Sequence, residues 1–246
     1  MNNSPGSPQL KTNSEATQKR TLSEKDWINK WEKNNIGFHQ NHIHTFLEEF
    51  VNDLLNNRKQ VNIFFPLCGK AVDMKWLTDM GHTVVGVDVC EIGLKEFFEE
   101  HNIPYVEESL PDIPDGKVFK STCGHISLYC CNLFNLSSSV IGKFGGIWDR
   151  GAMVAINPCD RERYAELILS LMEDDCRYLV VTSVYDIKSY GGPPFCVTDA
   201  ALETLLGLSC NIQCLKSVEG LTEKQKPWGL SHYEEKIFLI TLKSKS

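Results

Sequence analysis

From residue 61 onward, short apolar runs alternate with segments of helical periodicity, and this alternation constrains the fold more than any other feature of the sequence. Strand, helix and strand in succession favour a parallel sheet with helices on both faces. The predicted strands lie at 61–65, 83–89, 126–131, 145–148, 178–184, 212–218 and 236–242, and the predicted helices at 72–80, 92–100, 163–172 and 200–206. We therefore expect a doubly wound α/β domain with a mostly parallel, seven-stranded sheet.

Both ends of the chain depart from this alternation. The last two predicted strands are joined by residues 222–232, which have no helical pattern, so we expect an antiparallel strand at one edge of the sheet. Residues 21–57 have apolar residues at helical spacing, with Ser23 as a candidate N-cap, and are predicted to form a helical arm that covers the active site. Residues 1–20 lack apolar periodicity and are expected to be disordered, whereas 21–246 should form a single domain.

The charge balance excludes several classes of partner. The 246 residues contain 25 Lys and Arg against 32 Asp and Glu, a formal net charge of −7. This sign disfavours binding to nucleic acid or to an anionic membrane surface. No apolar run reaches the roughly 18 residues of a spanning helix, and the N-terminus lacks the apolar segment of a signal peptide. We expect a cytoplasmic protein that binds neither nucleic acid nor membrane.

Ten cysteines are scattered through the chain, and their spacing does not indicate a metal site. No pair has the CxxC spacing, and the only pair close to it, Cys210 and Cys214, has no second Cys or His pair at the distance found in zinc fingers. Several cysteines, such as Cys130 and Cys131, lie within apolar runs. The prediction is therefore reduced, mostly buried thiols and no bound metal.

Ligands of an open parallel sheet bind outside the carboxyl ends of its strands, which directs attention to the loop after the first strand. That loop reads PLCGKA at 66–71. A phosphate-binding P-loop would need Gly where Phe64 stands and Ser or Thr where Ala71 stands. The dinucleotide fingerprint GxGxxG is also absent, because Gly69 is a single glycine. The loop therefore predicts a ligand without a bound phosphate.

Asp88 ends the second predicted strand. A carboxylate at this place hydrogen-bonds ribose hydroxyls in nucleoside-binding sheets of this topology. Capping of the following helix explains the residue equally well. Because the phosphate-binding glycines are missing, the combination favours a nucleoside ligand such as S-adenosylmethionine, whose ribose needs an acid and whose adenine needs a slot.

Longer motifs make a family resemblance visible. The sequence contains VNIFFPLCGKAV at 61–72, GHTVVGVD at 81–88, IWDRGAMVAINP at 147–158 followed by Asp160 and Arg161, and GGPPF at 191–195. In these motifs, in two tryptophans of the arm and in FHQ at 38–40, the chain resembles the thiopurine S-methyltransferase family over residues 21–242. The run WDRGAMVAINP is the most specific of them. The resemblance implies a Rossmann-like methyltransferase fold.

The resemblance also implies a set of site residues. The cofactor S-adenosylmethionine would be held by Trp27, Trp31, Leu67, Gly69, Asp88, Asn132, Leu133 and Arg150. Phe38 would lie against the acceptor ring. Two positions depart from the pattern of the mammalian enzymes: Asp88 stands where Glu is usual, and Lys224 stands where a substrate-side Arg occurs. Lys lacks the planar fork of Arg, so the second departure bears on which acceptor is bound.

The expected reaction moves the methyl group of S-adenosylmethionine to the sulfur of an aromatic or heterocyclic thiol, such as a thiopurine. No metal is needed, because an in-line displacement depends mainly on alignment in a dry, aromatic pocket. Arg150 would favour the thiolate form of the acceptor, and Asp160 would take its proton directly or through water. These two residues are the predicted catalytic residues of an enzyme that we expect to be a monomer.

Several alternatives remain open from the sequence. A methyltransferase for small thiols, halide or selenium anions would have a similar cofactor site, and a nucleoside-binding protein that has lost turnover would also retain it. Trp27 and Trp31 also fit a role as core anchors. Arg150 also fits a structural ion pair with its neighbour Asp149, and residues 191–195 are either a lid or a simple connection.

Overall fold

The computed structural model describes residues 21–223 and 225–244. The strands are β1 Asn62–Pro66, β2 Thr83–Asp88, β3 Tyr105–Ser109, β4 Lys117–Ser121, β5 Ile126–Cys130, β6 Phe144–Arg150, β7 Met172–Val184, β8 Cys210–Glu219 and β9 Glu234–Leu242. The α-helices are α1 Glu24–Glu32, α2 Thr45–Leu55, α3 Val72–Asp79, α4 Glu91–Glu100, α5 Ser138–Ile141, α6 Arg161–Leu171 and α7 Asp199–Leu206. Three short 3-10 turns lie at Leu133–Asn135, Pro158–Asp160 and Lys226–Trp228.

All the strands form one sheet in the order β3-β4-β5-β2-β1-β6-β7-β9-β8. The five central strands, β5 to β7 in that order, pair in parallel. At one end β9 runs antiparallel to β7 and β8 antiparallel to β9. The mostly parallel sheet and its antiparallel edge strand are therefore confirmed.

Helices cover both faces of the sheet. The β1 side chains alternate between two apolar cores, with Phe64 in one core and Ile63 and Phe65 in the other. The first core packs against α6 and α7 through residues such as Tyr164 and Leu202, which are fully buried. The second packs against α2, α3 and α4. This is the doubly wound arrangement that the sequence predicts.

The sheet has nine strands instead of the predicted seven. The additional strands, β3 and β4, form an antiparallel hairpin that extends the edge beside β5. Four of the five β3 residues are exposed, so this strand has no apolar face from which alternation could be recognised. Ion pairs join the two strands instead, including one of 3.0 Å between Lys117 and Glu107 and one of 2.6 Å between Lys120 and Glu108.

The arm is attached to the domain at its beginning and at its second helix. Ser23 caps α1 in a capping box with Asp26, as the sequence predicts. The side chain of Asn157 accepts a hydrogen bond from the Leu22 backbone N–H at 2.9 Å and donates one to the Leu22 carbonyl at 3.0 Å. His44 caps α2 through its Nδ1 atom. Within the described part of the chain, no helix has the length and apolar character needed to cross a bilayer.

Candidate active site

Polar groups converge at the carboxyl ends of the central strands. Pro66 ends β1, Asp88 ends β2 and Arg150 ends β6. β1 pairs in parallel with both β2 and β6, so these three residues lie along the same edge of the sheet. This is the edge at which open α/β sheets bind their ligands.

The loop after β1 has an unusual backbone. Leu67 and Gly69 both have a φ of 47°, in the left-handed region. A non-glycine residue is rarely found there, and such residues cluster at ligand sites. The Gly69 N–H donates to Oδ2 of Asp88 at 2.9 Å, and the Cys90 N–H donates to Oδ1 of the same carboxylate at 2.9 Å. Asp88 therefore joins the loops that follow β1 and β2.

Asp88 is buried but retains capacity to accept hydrogen bonds. Burial raises the pKa of its carboxyl, while the backbone N–H groups of Cys90 and Gly69 oppose that rise. A carboxylate can accept about four hydrogen bonds, and the Val89 backbone N–H also acts on this one. The capacity that remains fits a hydroxyl donor, such as one of a ribose. The two explanations of Asp88 from the sequence, capping of the helix after β2 and binding of a ribose, are therefore compatible.

Three aromatic residues of the arm pack together above the loop after β1, which contains Gly69. Phe38 makes edge contacts with Trp27 and Trp31, at ring-centroid distances of 5.7 and 5.8 Å. Trp31 is buried and lies over two glycines: a Cβ atom added to Gly69 or Gly93 would come within 2.8 Å of its ring. Glycine at these two positions is therefore required for the arm to approach the sheet this closely.

Arg150 connects the arm to the sheet. Its guanidinium donates to the Phe38 carbonyl at 2.8 Å. Burial lowers the pKa of Arg150, and the nearby Asp73, Glu235 and Tyr233 raise it. Among the described residues the alternative interpretation, an ion pair with the adjacent Asp149, is not found, and the Asp149 carboxylate accepts from Tyr164 and from other donors in the core. The side chain of Arg150 is thus directed towards the arm instead.

Asp73, in the first turn of α3, was not identified as a site residue from the sequence. Its carboxylate accepts from the His44 backbone N–H at 2.9 Å and from the Trp148 indole at 3.1 Å. Burial raises the pKa of Asp73 and lowers that of His44 to about 3. Asp73 and Arg150 line a small open cleft together with His39, Gln40, His42, Phe65, Pro66, Ala71, Val72 and Trp148. In the sequence, Asp73 resembles any acidic residue that begins a helix.

The remaining predicted residues are distributed around this edge. Asn132 caps the turn after β5 by accepting from the Phe134 N–H at 2.7 Å, and it donates to Glu24 of the arm. Leu133 is buried in the core behind it. Asp160 accepts from Asn157 at 3.4 Å, beside the attachment of the arm. Within residues 21–223 and 225–244 no hydrogen bond or ion pair is found between Asp160 and Arg150. Lys224 lies outside the described residues.

A second aromatic group, which we call the aromatic cluster, comprises Tyr185, Tyr190, Trp228 and Tyr233 and was not predicted. Tyr190 stacks on Trp228 at 4.5 Å, and Tyr185 stacks on Tyr233 at 6.0 Å. Burial raises the pKa of Tyr233 to about 12, and Arg150 lowers it. The positive charge of Arg150 therefore acts on the cluster at Tyr233. Its members come from two loops separated by β8, so no local pattern brings them together.

Comparison with known proteins gives one family. The model of the thiopurine S-methyltransferase family matches residues 22–243. A probable thiopurine S-methyltransferase of Danio rerio is 53% identical over 226 residues, which cover 92% of this chain and 97% of the relative. The thiopurine S-methyltransferase of Rattus norvegicus is 50% identical over 229 residues, covering 93% and 95%.

A solved structure supports the fold independently. The 1,6-didemethyltoxoflavin-N1-methyltransferase of Burkholderia thailandensis, with bound 1,6-didemethyltoxoflavin and S-adenosylhomocysteine, superposes with a TM-score of 0.59. The two chains are 16% identical, and the match covers 89% of this chain and 87% of the other. At this level of identity the similarity establishes the architecture, and the site has to be argued from its own residues.

Proposed function

Because the chain belongs to the thiopurine S-methyltransferase family, we propose that it transfers the methyl group of S-adenosylmethionine to the sulfur of aromatic or heterocyclic thiols such as thiopurines. One observation carries the proposal. The Asp88–Gly69 hydrogen bond and the Arg150–Phe38 hydrogen bond lie at the same sheet edge, beneath the same aromatic arm. The first suits a nucleoside cofactor, and the second suits a flat, acidic acceptor.

On the cofactor side, the residues fit S-adenosylmethionine. Asp88 accepts from the ribose with its remaining hydrogen-bonding capacity, and the Trp31 ring, which packs directly over Gly69, supplies an aromatic wall beside this position. The site is completed by Trp27, Trp31, Leu67, Asn132, Leu133 and Arg150. When bound, S-adenosylmethionine supplies a sulfonium methyl group that ends on the acceptor sulfur, leaving S-adenosylhomocysteine.

On the acceptor side, the protein orients the thiol and favours its anion. Phe38 packs against the acceptor ring, and the Arg150 guanidinium stabilises the thiolate. Asp160 takes the thiol proton directly or through water, and Lys224 contributes positive charge. The arm of residues 21–57 excludes water, which strengthens these electrostatic interactions. We propose that the protein works as a monomer in the cytoplasm.

The experiment is methyl transfer from labelled S-adenosylmethionine to 6-mercaptopurine, run beside iodide and a small alkyl thiol. The proposal predicts labelled S-methylmercaptopurine with multiple turnovers, at a rate well above that with iodide. Preference for iodide or the alkyl thiol would favour a small-anion methyltransferase. Tight binding of S-adenosylhomocysteine without turnover on any acceptor would favour a binding protein.

A further inference from the structure

Residues 38–44, which we call the 38–44 segment, lie between α1 and α2 and are fastened at both ends. At one end, the Phe38 carbonyl accepts a hydrogen bond from the Arg150 guanidinium at 2.8 Å. At the other end, the His44 backbone N–H donates to Oδ1 of Asp73 at 2.9 Å. The segment carries Phe38, the residue proposed to lie against the acceptor ring. Asp73 and Arg150 therefore hold the same piece of the arm, one at each end.

Asp73 and Arg150 also lie on the same side of the sheet. The second oxygen of Asp73, Oδ2, accepts from the Trp148 indole at 3.1 Å. Trp148 and Arg150 are two residues apart on β6, so their side chains point to the same face of the strand. Asp149 between them points to the opposite core, where it accepts from Tyr164. Asp73 and Arg150 are thus on one side of β6, and both line the same small cleft.

The two contacts of Asp73 require a carboxylate, because both partners are N–H donors. A carboxylate accepts with each of its oxygens, whereas an amide has one oxygen that accepts and an NH2 group that donates. Asn at this position would turn its NH2 group towards either the His44 N–H or the Trp148 indole N–H. Asp73 is 5% exposed, so the donor that loses its partner would be left buried. Asp73→Asn therefore breaks one of the two contacts at almost constant side-chain volume.

The charge of Asp73 also supports Arg150. Burial lowers the pKa of Arg150, and Asp73 has the largest effect among the groups that raise it. Burial likewise raises the pKa of Asp73, and Arg150 is among the groups that lower it. Each charge therefore stabilises the other in surroundings where either alone would be costly. An interaction with the helix dipole does not explain these contacts, because both oxygens of Asp73 accept from partners outside α3.

We propose that Asp73 is a positioning residue for methyl transfer, which holds the 38–44 segment so that Phe38 and the Arg150 guanidinium stay where they act on the acceptor. The inference rests on the proposed function. Asp73 acts through Arg150 and the arm, without contact to the acceptor. Loss of its charge should therefore lower the rate of methyl transfer far more when Arg150 is present than when Arg150 has been replaced.

The test is a double-mutant cycle of Asp73→Asn and Arg150→Gln, measured as kcat/KM for 6-mercaptopurine at saturating S-adenosylmethionine. In the wild-type background, Asp73→Asn should lower kcat/KM about 10- to 100-fold, the loss expected for a hydrogen bond to a charged group. In the Arg150→Gln background the same change should cost about threefold or less, because the guanidinium that it positions is absent. Arg163→Gln is the control background, since Arg163 lies on α6 and stacks on Phe134 at the surface. There, Asp73→Asn should cost as much as in the wild type.

Two control variants separate positioning from a general loss of stability. Asp79→Asn makes the same change on the same helix, where the carboxylate pairs with Lys75 at the surface. It should leave kcat/KM and the Tm nearly unchanged. Ser121→Ala removes the acceptor of a buried backbone N–H far from the site, that of Ile126 at 3.0 Å. It should lower the Tm without changing kcat/KM.

Hydrogen exchange measures the fastening itself and needs no turnover. The His44 amide should exchange at least about 10-fold faster in Asp73→Asn than in the wild type, while the amides of α6 keep their rates. Asp73→Glu is the conservative variant, because it retains the charge and both acceptor oxygens, and the cleft beside residue 73 has room for another methylene. It should keep more of the wild-type kcat/KM than Asp73→Asn does, and it serves as the test if Asp73→Asn does not fold.

The outcomes distinguish the two levels of the argument. If the wild type methylates no thiol, the proposed function fails. If the wild type is active but Asp73→Asn costs the same factor with Arg150 as with Gln at position 150, Asp73 has only a structural role. An unchanged kcat/KM in Asp73→Asn, or an equal loss in Asp73→Glu, would also overturn the assignment of Asp73 while the proposed function stands.

Discussion

On the cofactor side of the site, Asp88 and Gly69 are hydrogen-bonded across 19 residues of sequence, whereas on the acceptor side Arg150 and Phe38 are bonded across 112. The pairing of β1 with β2 places the first pair, because Gly69 lies in the loop after β1 and Asp88 ends the adjacent parallel strand β2. The second pair depends on how the arm returns to the sheet and on loops that carry the aromatic cluster. We infer that the sheet fixes the position of Asp88, and that the acceptor side, which depends on the arm and on loops, is the more adaptable half.

The largest effect is expected from pH, which should change the free energy of unfolding through the buried side chain of His44. Burial lowers the pKa of His44 to about 3 from its ordinary 6.5. As pH falls from 6.5 to 3 the unfolded chain takes up this proton and the folded chain does not, so stability is lost, by roughly 3–5 kcal/mol at about 1.4 kcal/mol per pH unit. His44→Asn keeps an N-cap for α2 but does not titrate. Denaturant unfolding should show that the variant loses less stability than the wild type as the pH falls from 6.5 to 3. Equal losses for the two proteins would contradict a buried, uncharged His44.

Arg150→Gln should have the next largest effect, because Arg150 contributes to both sides. We expect kcat/KM for 6-mercaptopurine to fall about 100-fold, the usual loss on removing a positioned charged donor. The loss should be greater at lower pH, where fewer acceptor molecules are already thiolates. Steady-state kinetics from pH 6 to 9 measure this, with Arg163→Gln as the control. An unchanged kcat/KM would exclude Arg150 from the chemistry.

Gly69→Ala should separate the two sides. The new Cβ would meet the Trp31 ring at 2.8 Å, on a backbone with φ of 47°. We expect the affinity for S-adenosylhomocysteine to fall about 10-fold, with little change in the acceptor KM at saturating cofactor. Gly124→Ala, which also has a positive φ but no neighbour within 4 Å, should lose stability without loss of affinity. Equal affinity losses in the two variants would indicate a general effect of backbone strain.

Phe38→Leu should have the smallest effect, confined to the acceptor side. Leu keeps apolar contact with the arm tryptophans but loses the flat ring, so we expect the KM for 6-mercaptopurine to rise about 3- to 5-fold. Calorimetric affinity for S-adenosylhomocysteine should stay within about twofold of the wild-type value. A larger loss for the cofactor than for the acceptor would mean that the two sides are not independent.

Features that arise from local sequence patterns were predictable, whereas features that depend on contacts between distant segments were not. The strand ends at Pro66 and Asp88 could be placed because apolar runs and their loops are local patterns. The edge strand β3 could not, because ion pairs rather than an apolar face hold it. Asp73 was missed because its partners, the His44 backbone and the Trp148 indole, are distant in sequence.

The residues of the proposed acceptor side could be identified only once the fold was known. The aromatic cluster combines residues that follow β7 with residues that precede β9, and these strands become neighbours only in the assembled sheet. The family resemblance directed attention to Phe38 and Arg150 but gave no indication of Tyr233 or of its stacking on Tyr185. Long-range packing, which has no local signal, therefore assembles the aromatic cluster.

The central claim is that Asp88, held by Gly69, anchors the cofactor. The most direct test is calorimetric titration of S-adenosylhomocysteine into the wild type, Asp88→Asn and Asp88→Glu, with the Tm of each protein as a folding control. The account predicts binding about 10- to 100-fold weaker for Asp88→Asn, the loss expected for charge-assisted hydrogen bonds, and largely retained for Asp88→Glu. An Asp88→Asn protein that binds S-adenosylhomocysteine as tightly as the wild type would contradict it.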